Sequence, residues 1–397
     1  MIETNKTWAP PLADLAVLGR RGLAVGTLAG VVSAVGLITN PAQFYRSYLV
    51  AFVFVLGIAL GSLAISMLHH MSGGAWGLVI RRILEASART LPLVALFAVP
   101  LLLGLKHLYP WADPARVAGD EILRHRASYM NPTFFAVRLA ACLLLWTVFA
   151  QALSRLSKTQ DDAPAPGLER RMQLVAAPGL AVYCLLVTIA SIDLLMSLDP
   201  HWYSAIYGVY VVGGQAISGL AFTLLVSLFL ARVGPRRGFL QPRHVHDHGN
   251  LLLAFTMLWA YFALSQFLII WSGNLPEEIG FFHDRLGGGW GAVSLFLAVF
   301  HFAVPFFFLL SRDFKRDIGK LAWAAGLLLL ARWVDLFWLV SPAFHPGRLS
   351  VHWLDLTTSV ALFGLWLPAF ARELGTRPLL PVNDPNLAVA LEVHAHG

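Results

Sequence analysis

Residues Tyr48–Leu68 read YLVAFVFVLGIALGSLAISML. No Asp, Glu, Lys or Arg interrupts them, and a helix needs ~20 mostly apolar residues to cross a bilayer. The stretch also lacks the alternation of a barrel strand. Lipid cannot satisfy an open sheet edge, so a helix is the structure such a segment can adopt in a membrane. Similar segments run over 22–39, 88–105, 133–154, 174–197, 204–231, 250–273, 290–311, 319–341 and 352–371. The sequence therefore predicts an all-α polytopic membrane protein of about ten transmembrane helices. Its parts are an N-terminal segment (1–21), a transmembrane domain (22–373) and a C-terminal tail (374–397).

Composition agrees. The 397 residues are 57% hydrophobic and 13% charged, where a soluble domain carries about 25% charged residues. The net charge of +7 gives no nucleic-acid signal, because no basic run interleaves with aromatics on a polar face. Both cysteines, Cys142 and Cys184, fall inside apolar segments and read as small core residues. Arg20 and Arg21 lead directly into the first span, so that helix reads as retained rather than as a cleaved signal.

The cationic residues set the expected topology. Most of the 29 lysines and arginines lie at the two ends of the chain and in the even-numbered connections, Lys6, Arg236 and Arg237 among them. The other side carries Arg46, Lys106, Arg116, Arg124, Arg126, Arg285 and Arg348. The positive-inside rule then places both termini in the cytoplasm. Trp76, Trp111, Trp202, Trp290 and Trp353 sit at span edges, where an amphipathic ring suits the headgroup layer. Gly73-Gly74-Ala75-Trp76-Gly77 resembles Gly287-Gly288-Gly289-Trp290-Gly291, five helices apart. We read both as glycine turns followed by an interfacial Trp rather than as an inverted repeat.

Ionisable groups inside such spans mark function by default, since a buried charge is kept only with a partner or a role. Arg332 and Asp335 stand three apart on one face of span 9, close enough to pair. Asp193 lies near the outer end of span 5, Asp355 near the outer start of span 10, and His301 in the middle of span 8. If the helices pack side by side, these five cluster toward the outer half of the bilayer. Carboxylates and a histidine there suit a proton pathway, with Arg332 tuning the acids. The plainer reading is an ion pair that pins helices together. Tyr207, Tyr261 and Gln266 are candidates for a quinone-like pocket; Gln266 also reads as an interhelical hydrogen bonder. Arg138 reads as a snorkelling cation. Glu85 and Arg89, four apart, read as an internal pair. His69, His70, His244, His246, His248, His394 and His396 read as solvated, with Asp247 or Asn250 capping helix 7. No metal site is expected.

Three stretches also carry a resemblance: His69–Gly77 (HHMSGGAWG), Met196–Tyr210 (MSLDPHWYSAIYGVY) and Tyr261–Glu278 (YFALSQFLIIWSGNLPEE). They are similar to the F subunit of alternative complex III, the bacterial quinol:cytochrome c oxidoreductase. The likeness runs from the first span to the last. It implies the ten-helix polysulfide-reductase type of fold, two four-helix bundles with two further helices, in the bacterial inner membrane. It also implies no redox cofactor on this chain, which is thought to help conduct protons. The expected partners are a homologous quinol-binding membrane subunit, an iron–sulfur protein, c-type cytochromes carrying haem c, membrane lipids and a terminal oxidase, with quinol or menaquinol as electron donor. The quinol-oxidising relative is expected to carry a second His where this chain has Tyr203. The alternatives are a quinol-binding subunit in its own right, a structural scaffold or a secondary transporter.

Overall fold

The computed structural model describes residues 8–233 and 240–391. Lys6, Arg236, Arg237, His394 and His396 lie outside the described residues. Among the described residues, ten helices are long and apolar enough to cross a membrane: α1 (Leu12–Thr39), α2 (Pro41–Ser72), α3 (Arg81–Leu103), α4 (Pro132–Asp162), α5 (Leu168–Leu198), α6 (Tyr207–Val233), α7 (Pro242–Gly273), α8 (Trp290–Leu310), α9 (Ile318–Ala343) and α10 (Trp353–Gly375). The chain is a multi-pass membrane protein. Each predicted span is present. Several helices run further than their apolar cores, because their polar ends are held by tertiary contacts rather than by lipid.

The helices form two four-helix groups, α2–α5 and α6–α9, with α10 laid on α2 and α3 and α1 laid on α10. The most apolar stretch of α2 is wholly buried, which explains why Tyr48–Leu68 is apolar on all sides: it faces protein all round. The two groups meet where α2 crosses α6. A Cβ on Gly61 would stand 1.8 Å from the Gln215 carbonyl oxygen. Only a residue without a side chain lets these backbones touch, and such small-residue crossings hold helices together where lipid offers no hydrophobic driving force.

Local chemistry sets the ends. Asn40 accepts a hydrogen bond from the Gln43 N–H as N-cap of α2, with Pro41 at the first helical position, and Asn131 does the same for α4 from Phe134, each satisfying an otherwise orphaned donor. The paired-glycine motifs are turns, as expected: Gly73 and Gly74, like Gly288 and Gly289, all have positive φ. The tryptophan expectation needs correction. Trp111, Trp202 and Trp290 are buried; Trp202 stacks on Phe281 at 4.0 Å and the Trp290 indole donates to the His345 carbonyl. Of the five, Trp353 is the one strongly exposed. The connections at that end fold over the bundle and supply an apolar surface nearer than the headgroup layer.

The face that holds both ends of the chain differs more from expectation. Residues 376–391 are not a free tail. Asp384 pairs with Arg81 at 2.7 Å, Arg377 reaches the Ser154 carbonyl at 2.9 Å, and Asn383 and Asn386 hydrogen-bond Asp161 and Glu169. Glu85 pairs with Arg82 at 2.7 Å and Arg81 at 3.5 Å, not with Arg89, which pairs with Glu373 at 2.5 Å. His244 and His248 are buried in the first turns of α7, where they donate to the Ala390 and Trp76 carbonyls. Gln241, not Asp247 or Asn250, occupies the N-cap. His69 and His70 are buried too, the latter within 3.2 Å of an Arg81 nitrogen.

Candidate functional site

Asp335 and Arg332 lie on α9 and are buried in the second bundle. The three-residue spacing puts both on one face, and the guanidinium pairs with the carboxylate as the sequence suggested. Two further donors converge on that carboxylate. The Tyr210 hydroxyl of α6 donates to Oδ1 at 2.5 Å, and the Trp259 indole of α7 donates to Oδ2 at 3.3 Å. Arg332 fits because α6 offers Gly214 opposite it: a Cβ there would stand 2.2 Å from the guanidinium carbon. A charge in hydrocarbon survives only when neutralised and hydrogen-bonded, and this carboxylate meets both conditions.

His301 completes the group. Its ring centre lies 3.8 Å from that of Trp259, and the side chain is fully buried. Neither ring nitrogen has a hydrogen-bond partner among the described residues. Leu297–Ala303, which carries it, is a π-helical turn inside α8. Pro305 supplies the cause: it has no N–H, and its ring displaces the carbonyl four residues back, that of His301. Single π turns recur at functional sites, and a buried unpartnered imidazole calls for an explanation.

A cavity of about 660 Å³ runs between α7, α8 and α9 and ends on Tyr210, Trp259 and Asp335. Its remaining wall is almost wholly apolar and rich in aromatic rings, among them Phe267, Phe282 and Trp338. Met257, Tyr261 and Leu264 on its side are exposed on the outside of the bundle, so it opens sideways, toward lipid. The helix Pro276–Leu286 closes one end. That helix is bolted to α9 by Arg285, which donates to the Phe281 and Leu339 carbonyls at 2.9 Å each. Burial brings the Arg285 guanidinium down to about 10.

The expected single cluster of five residues is not formed. Asp193 belongs to the first bundle, where Arg138 grips it through Nε at 2.7 Å and Nη2 at 2.9 Å. Arg138 is therefore a fixed partner rather than a snorkelling cation; it also lies over the Tyr129 ring at 3.8 Å. Asp355 belongs to the start of α10. It accepts from Ser47 at 2.5 Å, Gln43 at 3.1 Å and the His352 N–H at 2.8 Å, closing a capping box with His352. Among the described residues the three carboxylates share no hydrogen-bond partner. They were legible as buried acids, but which helix each would meet depends on bundle topology.

The aromatic and amide candidates also separate. Tyr261 lines the cavity. Tyr207 is buried against Trp202 at 5.7 Å, and Gln266 accepts from Ser204 at 3.2 Å; neither lines it. The residues missed were Tyr210 and Trp259. A signal existed, because a tyrosine or tryptophan deep in a span needs an acceptor for its polar hydrogen. No protein-family model matches the chain, and no curated protein does.

Proposed function

We propose that this chain is an integral membrane subunit of a bacterial quinol:cytochrome c electron-transfer complex and contributes a proton-conducting site centred on Asp335. The sequence likeness to the F subunit of alternative complex III supplies the complex. On this reading its partners are a homologous quinol-binding membrane subunit, an iron–sulfur protein and c-type cytochromes, which carry the iron–sulfur clusters and haem c. The assembly sits in the inner membrane with both termini of this chain in the cytoplasm.

One observation carries the proton role: in the interior of the second bundle a carboxylate with three hydrogen-bond donors shares Trp259 with an imidazole whose two nitrogens have no hydrogen-bond partner among the described residues. Carboxyl and imidazole groups are the side chains best able to pass protons near neutral pH. Asp335 would take up and pass on the proton, with His301 as its relay and Arg332 balancing the carboxylate between transfers. Asp193 and Asp355, expected as further carriers, sit apart with structural partners of their own, so the role narrows to Asp335 and His301.

The test is proton release by the assembled complex in liposomes during quinol oxidation. Asp335→Asn keeps the shape and removes the titrating group. The rate of proton release should fall by about 100-fold, the lower end of the effect of losing one positioned acid or base. Asp335→Glu should restore part of it. Full proton release by both Asp335→Asn and His301→Gln complexes would end the proposal.

A further inference from the structure

We infer that the groove between the start of α1 and the end of α10 binds one anionic glycerophospholipid, its phosphate held between Arg20 and Arg372. The groove measures about 460 Å³, within the ~300–1,000 Å³ of small-molecule sites. Helical spacing builds its walls. Gly19, Arg20 and Leu23 share one stripe of α1, and Pro368, Ala371 and Arg372 share one of α10, at intervals of three and four residues. The two helices part toward this end. A Cβ on Gly26 would stand 2.6 Å from the backbone of α10, one on Gly22 3.3 Å and one on Gly19 3.5 Å. Ala16 and Ala371, which line the gap, are too short to fill it.

Charge selects the occupant. Arg20 and Arg372 are exposed, and neither pairs with a carboxylate among the described residues. Glu373, the acid next to Arg372, is taken by Arg89, and Asp14, in the first turn of α1, does not line the groove. On the same face of the molecule Arg81, Arg82 and Arg377 are each matched to an acid. Arg20 stands just before a run without Asp, Glu, Lys or Arg, Gly22–Tyr45, and Arg372 directly after another, Leu356–Ala371. Both therefore sit where hydrocarbon gives way to headgroups. A guanidinium there lays its stem along apolar surface and keeps its charge in the polar layer. Its planar fork matches the oxygens of a phosphate, and basic recesses between spanning helices suit anionic headgroups. A zwitterionic head would bring its ammonium up against the second guanidinium. Leu23 and Leu28, both exposed, give the acyl chains an apolar surface to lie on, which a soluble phosphate would leave uncovered. The groove and Asp335 lie on different helices, so this site holds whether or not that carboxylate carries protons.

The experiment uses the full chain in detergent, stripped of lipid and titrated with phosphatidylglycerol or with phosphatidylcholine of identical acyl chains. Native mass spectrometry counts the bound lipid. We expect one phosphatidylglycerol to bind well ahead of any phosphatidylcholine. Arg20→Gln with Arg372→Gln should weaken it by about thirtyfold, roughly fivefold for each arginine beside an anionic headgroup. Arg312→Gln with Arg316→Gln, two exposed arginines away from the groove, should leave it unchanged. Ala16, exposed on the groove wall, is changed to Phe to fill the gap while keeping both charges. Ala16→Phe should weaken binding by about tenfold, the loss of roughly two buried methylene groups. Without added lipid all three variants should keep the wild-type thermal midpoint. Phosphatidylglycerol should raise that midpoint in the wild type and not in Arg20→Gln with Arg372→Gln. Undiminished binding by the latter protein overturns the inference. So does equal binding of phosphatidylcholine, or equal weakening by the Arg312 and Arg316 substitutions, since neither headgroup nor place would then be selected. Full binding by Ala16→Phe overturns it too, because arginines on an open surface would suffice. Displacement of the lipid by glycerol 3-phosphate at equal concentration would make the ligand a soluble phosphate and overturn it as well.

Discussion

At the scale of single residues, burial of charge explains Asp335, Asp193 and Asp355, but not by one rule. Asp335 found its cation three positions away on its own helix. Asp193 found one on a neighbouring helix, 55 positions away in sequence. Asp355 took hydroxyl, amide and backbone donors instead of a cation. Breaking a buried pair by removing one partner costs more than removing both, because it strands a charge. Arg138→Leu should therefore destabilise the protein by about 3 kcal/mol or more, whereas Arg138→Leu with Asp193→Leu should recover most of that. Thermal unfolding in detergent compares them; equal loss in the single and double variants would show that the pair is not what holds α4 to α5.

The helices themselves show how small residues and proline shape an element beyond its hydropathy. Pro305 turns part of α8 into a π turn and so aims His301 at Trp259. Along α1, most of the surface is exposed, yet the helix is anchored. A Cβ on Gly26 would stand 2.6 Å from the Gly364 carbonyl carbon and the Leu365 nitrogen of α10. Backbone cannot retreat as a flexible side chain can. Gly26→Leu should therefore push α1 off α10 and cost about 1–3 kcal/mol, the range for overpacking. Proteolysis at the short connection around Asn40 reports the separation; unchanged cleavage would show that α1 docks without this contact. The rest of the bundle should survive, since α1 packs chiefly on α10.

Across the whole molecule, residues 376–391 tie the two bundles at the face that holds both ends of the chain. The strap reaches α3, α4 and α5 through Arg377, Asn383, Asp384 and Asn386, and α7 through carbonyls of Ala390 and Leu391. Beneath it Arg81, Arg82 and Glu85 are all buried. Ending the chain at Gly375 would strip Arg81 of Asp384 and expose that network to water. Faster amide exchange at residues 157–170 and a lower thermal midpoint are the expected results, because local opening follows the loss of buried contacts. Unchanged exchange there would mean that the strap only rests on the bundle.

Ten apolar segments, their approximate limits and the buried acids among them were determined by sequence alone, because lipid imposes one requirement on every spanning stretch and a charge within one stands out against it. The Arg332–Asp335 pair was legible for the same reason: helical spacing is local. Which helix each remaining acid would face, where the cavity opens, and that the tail folds back as a strap were decided only by tertiary structure. These depend on helix crossings such as Gly61 on α6 and on partners far apart in sequence, and hydropathy carries no information about which apolar surface meets which.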